Sequence, residues 1–566
     1  MRSIDHNEGK RLHAISSGIS MSATRSAVHE HLQHITSNRS EIRSIEPELA
    51  ANDVEFLAQI GYKQELRRSY GTLQVFGVAY SIMGLLPSII SVLAMGLNSG
   101  PAALTWGWLL SAFFIMCMGI LMAILSSLIP TSGGLYYWTN YYAPDLIRVP
   151  LSFLIGCSNT LALCSGVCLI NDGFASQVLA AVLVSKEGNF DITNGILYGV
   201  LAAAVVTQAF ICSCTTKFTA HIQTLSMIIN SVIIVIFFIA VPIGASKDGF
   251  NDGGYIFSKL GNERTWSQGW SFMLSIMPAV WTISSFDSCL HMAEEAANPQ
   301  KSVPIGITGS IGVCGVVGWC ICIVSVACIK GGNLDHILNS NTGLPMAQII
   351  YDALGKRWTI GFMSVIAFGQ YLMGCSILIA VSRQTWAFAR DDGLPLVHNI
   401  VKYVDPRIKV PIRAIIFDAI LSLVLGLLIL IGTTASNALF SMSVSGNYFS
   451  WVTPILLSLL PVGRSRFKPG SFYLGKFWSE VIMVTSVLWA AFVIVLSMFP
   501  DYKLVEPDTM NYTCVITGGV WLLSILYYYV YGYRVYSGPK SNLDSDDWTL
   551  QENVEYQNVD EVLQKH

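Results

Sequence analysis

Charge is what this sequence has least of: Asp, Glu, Lys and Arg make up 12% of 566 residues, about half the share usual in a soluble domain. So few charges do not keep a large folded surface in water. With a formal net charge of −3 and no basic stripe, a nucleic-acid partner is also excluded. The 13 cysteines offer no disulfide framework. Nearly all, including Cys157, Cys164, Cys168, Cys314, Cys320, Cys322 and Cys375, fall inside apolar stretches, where a small side chain packs between helices. No metal-ligand spacing, nucleotide-binding loop or Ser-His-Asp set placed for chemistry occurs, so no cofactor and no enzymatic activity are expected. The first 70 residues lack the apolar stretch of a signal peptide, which leaves the first apolar segment as the insertion signal.

Apolar length is what the sequence has in abundance. Hydrophobic residues make up 53% of the chain and the mean hydropathy is +0.54. About 20 apolar residues cross a hydrocarbon core roughly 30 Å thick. Segments of that kind lie near 72–97, 102–129, 150–184, 193–213, 218–244, 270–290, 304–329, 358–388, 411–432, 436–459, 479–499 and 511–532. The expectation is an all-α integral membrane protein with twelve transmembrane helices at 71–532, between an N-terminal tail at 1–70 and a C-terminal tail at 533–566.

Twelve spans put both tails on one side. If that side is cytoplasmic it holds 25 of the 33 Lys and Arg residues, against 8 on the other, which is the expected bias of cytoplasmic loops. The tails are polar and read as disordered. Their Ser, Thr and Lys residues offer sites for modification, trafficking and ubiquitylation machinery. Asn511-Tyr512-Thr513 forms a glycosylation acceptor on the outer side, but it sits at the membrane surface, where occupancy is not expected.

Two spans are interrupted. The first contains Ser81-Ile82-Met83-Gly84-Leu85-Leu86-Pro87: glycine loosens the helix and Pro87 suits the first turn of a new half-helix. Five spans later comes Met277-Pro278-Ala279-Val280-Trp281-Thr282-Ile283-Ser284-Ser285-Phe286-Asp287-Ser288. Broken helices survive in a bilayer only where protein or a watery cavity satisfies the freed backbone. Breaks at matching positions of two five-helix halves point to an inverted 5+5 repeat with substrate bound near the midplane, plus two additional helices. Three carboxylates lie within spans, where ionised Asp is costly. Asp287 adjoins the break. Asp172 sits toward the outer half of the third span. Asp418, near the inner end of the ninth, is expected to meet water or to pair with Arg413.

Three polar motifs follow these spans: Pro130-Thr131-Ser132-Gly133-Gly134-Leu135-Tyr136-Tyr137-Trp138, the linker from Glu294-Glu295 to Pro304, and Ser382-Arg383 to Pro395 with Arg390-Asp391-Asp392-Gly393. With the stretches 76–91, 133–144 and 279–304, they make the chain resemble the amino acid–polyamine–organocation superfamily of permeases. Within it the chain is similar to the fungal amino acid/choline transporter group, over residues 53 to 545.

The resemblance implies alternating access and import of an amino acid, GABA (γ-aminobutyrate) or a similar small zwitterionic amine, by proton symport. The candidate substrate contacts are Ser81, Gly84 and Leu85 on the first span and Trp281, Thr282, Ser285, Phe286 and Asp287 on the sixth. Free N–H groups after Gly84 would take a carboxylate with help from the helix dipole. The groups around Ser285 to Asp287 would take the ammonium, and Trp281 and Phe286 would close over the methylenes. Asp172, Asp287, Glu294, Glu295, Arg383 and Arg390 are the coupling and gating candidates, the last four as ion pairs that shut the inner gate. Some proton-coupled relatives carry a lysine in the fifth helix. Aligned through Gln223, this chain has Asn230 there, so coupling would need another group, Asp287, Asp172 or His221. The alternatives are a polyamine, choline or thiamine carrier and, in another class, a non-transporting nutrient sensor. The expected partners are the amine substrate, protons and lipid, in the plasma membrane or alternatively the vacuolar one.

Overall fold

The computed structural model describes residues 61–540 apart from 505 and 507–509, together with 53 and 57. Most of the expected N-terminal tail and residues 541–566, with their candidate modification sites, lie outside the described residues. The helical body comprises Glu65–Lys540. Among its described residues the regular structure is helical, and an isolated parallel β-bridge joins Tyr70 to Ala296.

Among the described residues, ten helical stretches are long and apolar enough to cross a membrane. In chain order the first is made of α1 (Thr72–Met83) and α2 (Leu85–Leu97), followed by α3 (Pro101–Leu128). A short helix after the second, α4 (Gly134–Tyr142), precedes α5 (Arg148–Ser185), α6 (Asn194–Cys212) and α7 (Thr216–Ala245). The expected sixth span is not one helix. It consists of α8 (Gln268–Leu274), α9 (Met277–Thr282) and α10 (Ser288–His291). Then come α11 (Pro299–Ala327), α12 (Lys356–Arg390), α13 (Ile412–Gly426), α14 (Thr433–Leu459), α15 (Lys476–Leu496) and α16 (Thr513–Val530). α14 is a continuous helix, but its Ser, Thr and Asn residues keep it from meeting the hydropathy of the ten.

The breaks organise the bundle. α2 packs against α9, and α1 packs against α10, so the two discontinuous helices run antiparallel with their interruptions at the same level. Small residues allow the close approaches around them. At the α3–α11 contact, Trp108 Nε1 donates to the Gly315 carbonyl at 3.0 Å, and a Cβ on Gly318 would run into the Trp108 ring. α12 and α14 both pack on α5. Outward-facing Phe113, Phe210 and Ile243 are exposed, as side chains that meet lipid must be. Asn511 turns its Nδ2 inward to the carbonyls of Ser497 and Phe499, both at 2.9 Å, so the amide of the glycosylation motif is already engaged.

Candidate functional site

Gly84 breaks the first helix in the left-handed region, at φ 37° and ψ 62°, where only glycine sits without strain. Its N–H still closes onto the Tyr80 carbonyl at 3.1 Å, and Ser88 Oγ takes up the Met83 carbonyl at 2.8 Å. The first N–H groups of α2, on Leu85 and Leu86, have no carbonyl of their own helix to bond, as at any helix start. A Cβ on Gly84 would collide with the Met373 side chain from α12. The second break runs from Ile283 to Asp287 and turns on Ser285, held at φ 61°, a conformation that costs a non-glycine residue about 1–2 kcal/mol.

A cavity of about 10 Å³ lies between the breaks, lined by Ile82 and Ser88, by Trp281, Thr282, Ser284 and Ser285, and by residues of α5, α12 and α14. That is room for about one water, so the site is closed. Its polar lining is uncharged: the hydroxyls of Ser88, Thr282, Ser284, Ser285 and Ser443, the amide of Asn447 and the indole of Trp281. Thr282 Oγ1 is buried there without a hydrogen-bond partner. Trp281 caps the cavity against Phe440, with ring centroids 5.0 Å apart, and Phe440 in turn lines a larger vestibule of about 210 Å³.

Of the expected contacts, Trp281, Thr282 and Ser285 line this cavity, and Gly84 and Leu85 form the break beside it. Ser81 faces α7 and donates to the Gln223 carbonyl at 3.3 Å. Phe286 packs its ring at a tilt against Trp451, with centroids 4.5 Å apart. Asp287 is buried one step away from the cavity: Trp451 Nε1 donates to its Oδ2 at 2.9 Å, and His291 Nε2 lies 3.5 Å from the same oxygen. Its Oδ1 has no hydrogen-bond partner. His291 Nδ1 meets the Ser132 carbonyl at 3.1 Å, which makes that nitrogen the donor. His291 was legible as the i+4 neighbour of Asp287, and Ser443 and Asn447 as an i, i+4 polar pair in an apolar helix.

The other carboxylates are dispersed. Asp172 is half-buried, outside the cavity lining, with Oδ1 unpartnered. Asp418 corrects an expectation. It is fully buried and accepts from Thr385 Oγ1 at 2.8 Å and Cys164 Sγ at 3.6 Å, while Arg413 stacks on Tyr403. The side chain points into the bundle and not along the chain toward its loop. Asn230 is buried and donates to Ser226, and His221 is exposed.

At the end of the bundle that the basic residues assign to the cytoplasm, the gating candidates converge. Arg390 grips Glu294 with Nη1 at 2.9 Å and Nη2 at 3.2 Å, and Arg383 Nε donates to Glu295 at 2.7 Å. Ser132 N–H donates to Glu294 at 3.2 Å, Tyr136 O–H to Asp391 at 2.8 Å and Arg68 to the Ala296 carbonyl at 2.6 Å. These pairs are buried, not at the surface as the linkers suggested. Burial pushes the Glu295 carboxyl above its ordinary range, with Arg383 pulling the other way. Beside them, burial acts to raise Asp392, but Lys540 at 2.8 Å and Lys402 at 3.1 Å outweigh it and hold that carboxyl below its usual range.

Two antiparallel broken helices around a closed cavity, with a vestibule beyond the Trp281–Phe440 pair on one side and buried ion pairs at the cytoplasmic end, are the architecture of a multi-pass transporter. The chain belongs to the amino acid permease family, which it matches over residues 70–520. It is 52% identical over 548 residues to the GABA-specific permease of Saccharomyces cerevisiae, covering 94% of this chain and 95% of that one. Two Schizosaccharomyces pombe proteins described as uncharacterized amino-acid permeases are 32% and 31% identical over 504 residues each. The alignments take in 87% and 88% of this chain and 90% of each relative. The protein is therefore a permease and not an enzyme.

Proposed function

We propose that this permease imports GABA or a similar small zwitterionic amino acid by proton symport. The observation that carries the reading is the cavity between the helix breaks, whose lining has hydroxyl and amide groups and no charged side chain. A cation without a carboxylate would bring a net charge there with no acid to meet it. A zwitterion brings none, and its carboxylate suits the N–H groups of Leu85 and Leu86 at the start of α2. The ammonium is then met by Thr282 Oγ1 and the carbonyls of the second break. The 52% identity to a GABA-specific permease supports the same substrate.

The proton is carried by Asp287, with His291 beside it. The interrupted sixth segment and α14 complete twelve spans around 71–532, with both tails cytoplasmic. Lipid surrounds the apolar exterior, the plasma membrane is the location, and the tails take the trafficking and ubiquitylation machinery. The test is a radiolabelled uptake panel in cells lacking their own amino acid permeases: GABA, common amino acids, putrescine, choline and thiamine at two external pH values. GABA uptake that rises at acid pH is expected. Uptake confined to putrescine, choline or thiamine would overturn the substrate, and surface-expressed protein without flux would favour a sensor.

A further inference from the structure

The vestibule beyond Trp281 is chemically unlike the central cavity. Its space of about 210 Å³ is lined by apolar side chains such as Met95, Phe440 and Leu496, by neutral polar ones such as Asn437, Ser441 and Tyr502, and by two opposite charges, Arg264 and Asp501. Arg264 is 1% exposed. Its Nη2 donates to the Met95 carbonyl at 2.6 Å and lies 3.4 Å from Asp501 Oδ1, while Nε and Nη1 have no hydrogen-bond partner. A guanidinium has five N–H donors, and leaving several unspent in a buried site is costly. A structural tie does not need this arrangement. The same two loops are already joined by Trp266 Nε1 to the Pro500 carbonyl at 3.2 Å and by Lys503 N–H to Thr265 Oγ1 at 3.3 Å. Asp501 is 42% exposed, so water and a ligand reach its carboxylate.

We infer that this vestibule is a second binding site for the zwitterionic amino acid, occupied before the substrate passes Trp281. Arg264 takes the carboxylate through its unspent donors, Asp501 takes the ammonium, and the methylenes lie on Phe440 and Leu496. A zwitterion inserted between the two charges leaves the site neutral, and the fork of the guanidinium suits a carboxylate in the bidentate manner. A cation alone would meet Arg264 as a like charge. The Trp281–Phe440 pair then separates two sites in series, one holding its ligand by charge and the other by helix ends and hydroxyls.

The inference rests on the amino acid reading of the central cavity, and one experiment separates the two. Full-length protein in lipid nanodiscs is dialysed to equilibrium against radiolabelled GABA. The expected result is two equivalents bound per chain in the wild type and one in Arg264→Gln. Gly84→Val, which disrupts the central site, is also expected to retain one. One equivalent in the wild type, unchanged by Arg264→Gln and lost in Gly84→Val, overturns the vestibule site and leaves the central reading standing. No binding by any form overturns both. Should Arg264→Gln fail to fold, Asp501→Asn probes the other pole from an exposed position. It is expected to weaken one of the two sites at least tenfold, and two sites of unaltered affinity would overturn the proposal.

Discussion

Arg390 and Glu294, 96 residues apart in sequence, are locked together by two hydrogen bonds, and neither side chain is more than 5% exposed. That relationship joins the end of α12 to the linker behind the broken sixth segment. Arg383 and Glu295 repeat it two turns earlier along α12. A surface pair of this kind contributes at most about 1 kcal/mol, but removing one partner of a buried pair costs roughly 3–5 kcal/mol because the other charge is stranded.

The first prediction is therefore that Glu294→Arg and Arg390→Glu each abolish concentrative uptake and that the double exchange partly restores it. Substrate accumulation in cells, corrected for surface expression, measures this. Full uptake by either single variant would mean that the pair does not seal the gate.

Gly84→Val should abolish uptake while the protein still reaches the membrane. The obstacle is twofold: a left-handed backbone and the Met373 side chain where Cβ would lie. Met373→Ala removes only the second, so Gly84→Ala should regain some uptake in that background, short of wild type by the strain of about 1–2 kcal/mol. Initial uptake rates of the two single variants and the double variant decide this.

Asp287→Asn should lose concentrative, pH-dependent uptake while retaining downhill exchange. The amide keeps an acceptor for Trp451 but neither titrates nor balances a charge. His291→Gln should weaken the same pH dependence, since the His291 ring lies at ion-pair distance, 3.5 Å, from Asp287. A well-expressed Asp287→Asn protein that still accumulates substrate against its gradient would end the coupling role. A protein that fails to reach the surface would mark Asp287 as structural.

Asp418→Asn should do little to transport. The oxygen that accepts from Thr385 and Cys164 survives in the amide, and the carboxylate oxygen without a partner is removed. Uptake close to wild type and a thermal midpoint equal or higher are expected. Loss of pH-dependent uptake alone would move the coupling site from Asp287 to Asp418.

Protease added to intact cells should spare tags at both termini, as the 25 to 8 division of basic residues requires. Cleavage of either tag from outside would refute the orientation.

The sequence by itself determined that the protein lives in a membrane, because apolar length and scarcity of charge are properties of a chain before it folds. It also marked both helix breaks, since Gly84 and the 277–288 run carry their backbone consequences locally. Acids were harder to read. From position along a span, Asp418 belongs near water and Asp287 in the cavity. The rotation of each helix instead turned Asp418 onto Thr385 and set Asp287 against Trp451 and His291. Tertiary structure alone also decided that the Arg390–Glu294 and Arg383–Glu295 pairs are buried, that Ser443 and Asn447 complete the cavity and that Arg264 and Asp501 share a vestibule. Those relationships join residues tens to hundreds of positions apart, and facing between helices is fixed by packing, which local sequence does not encode.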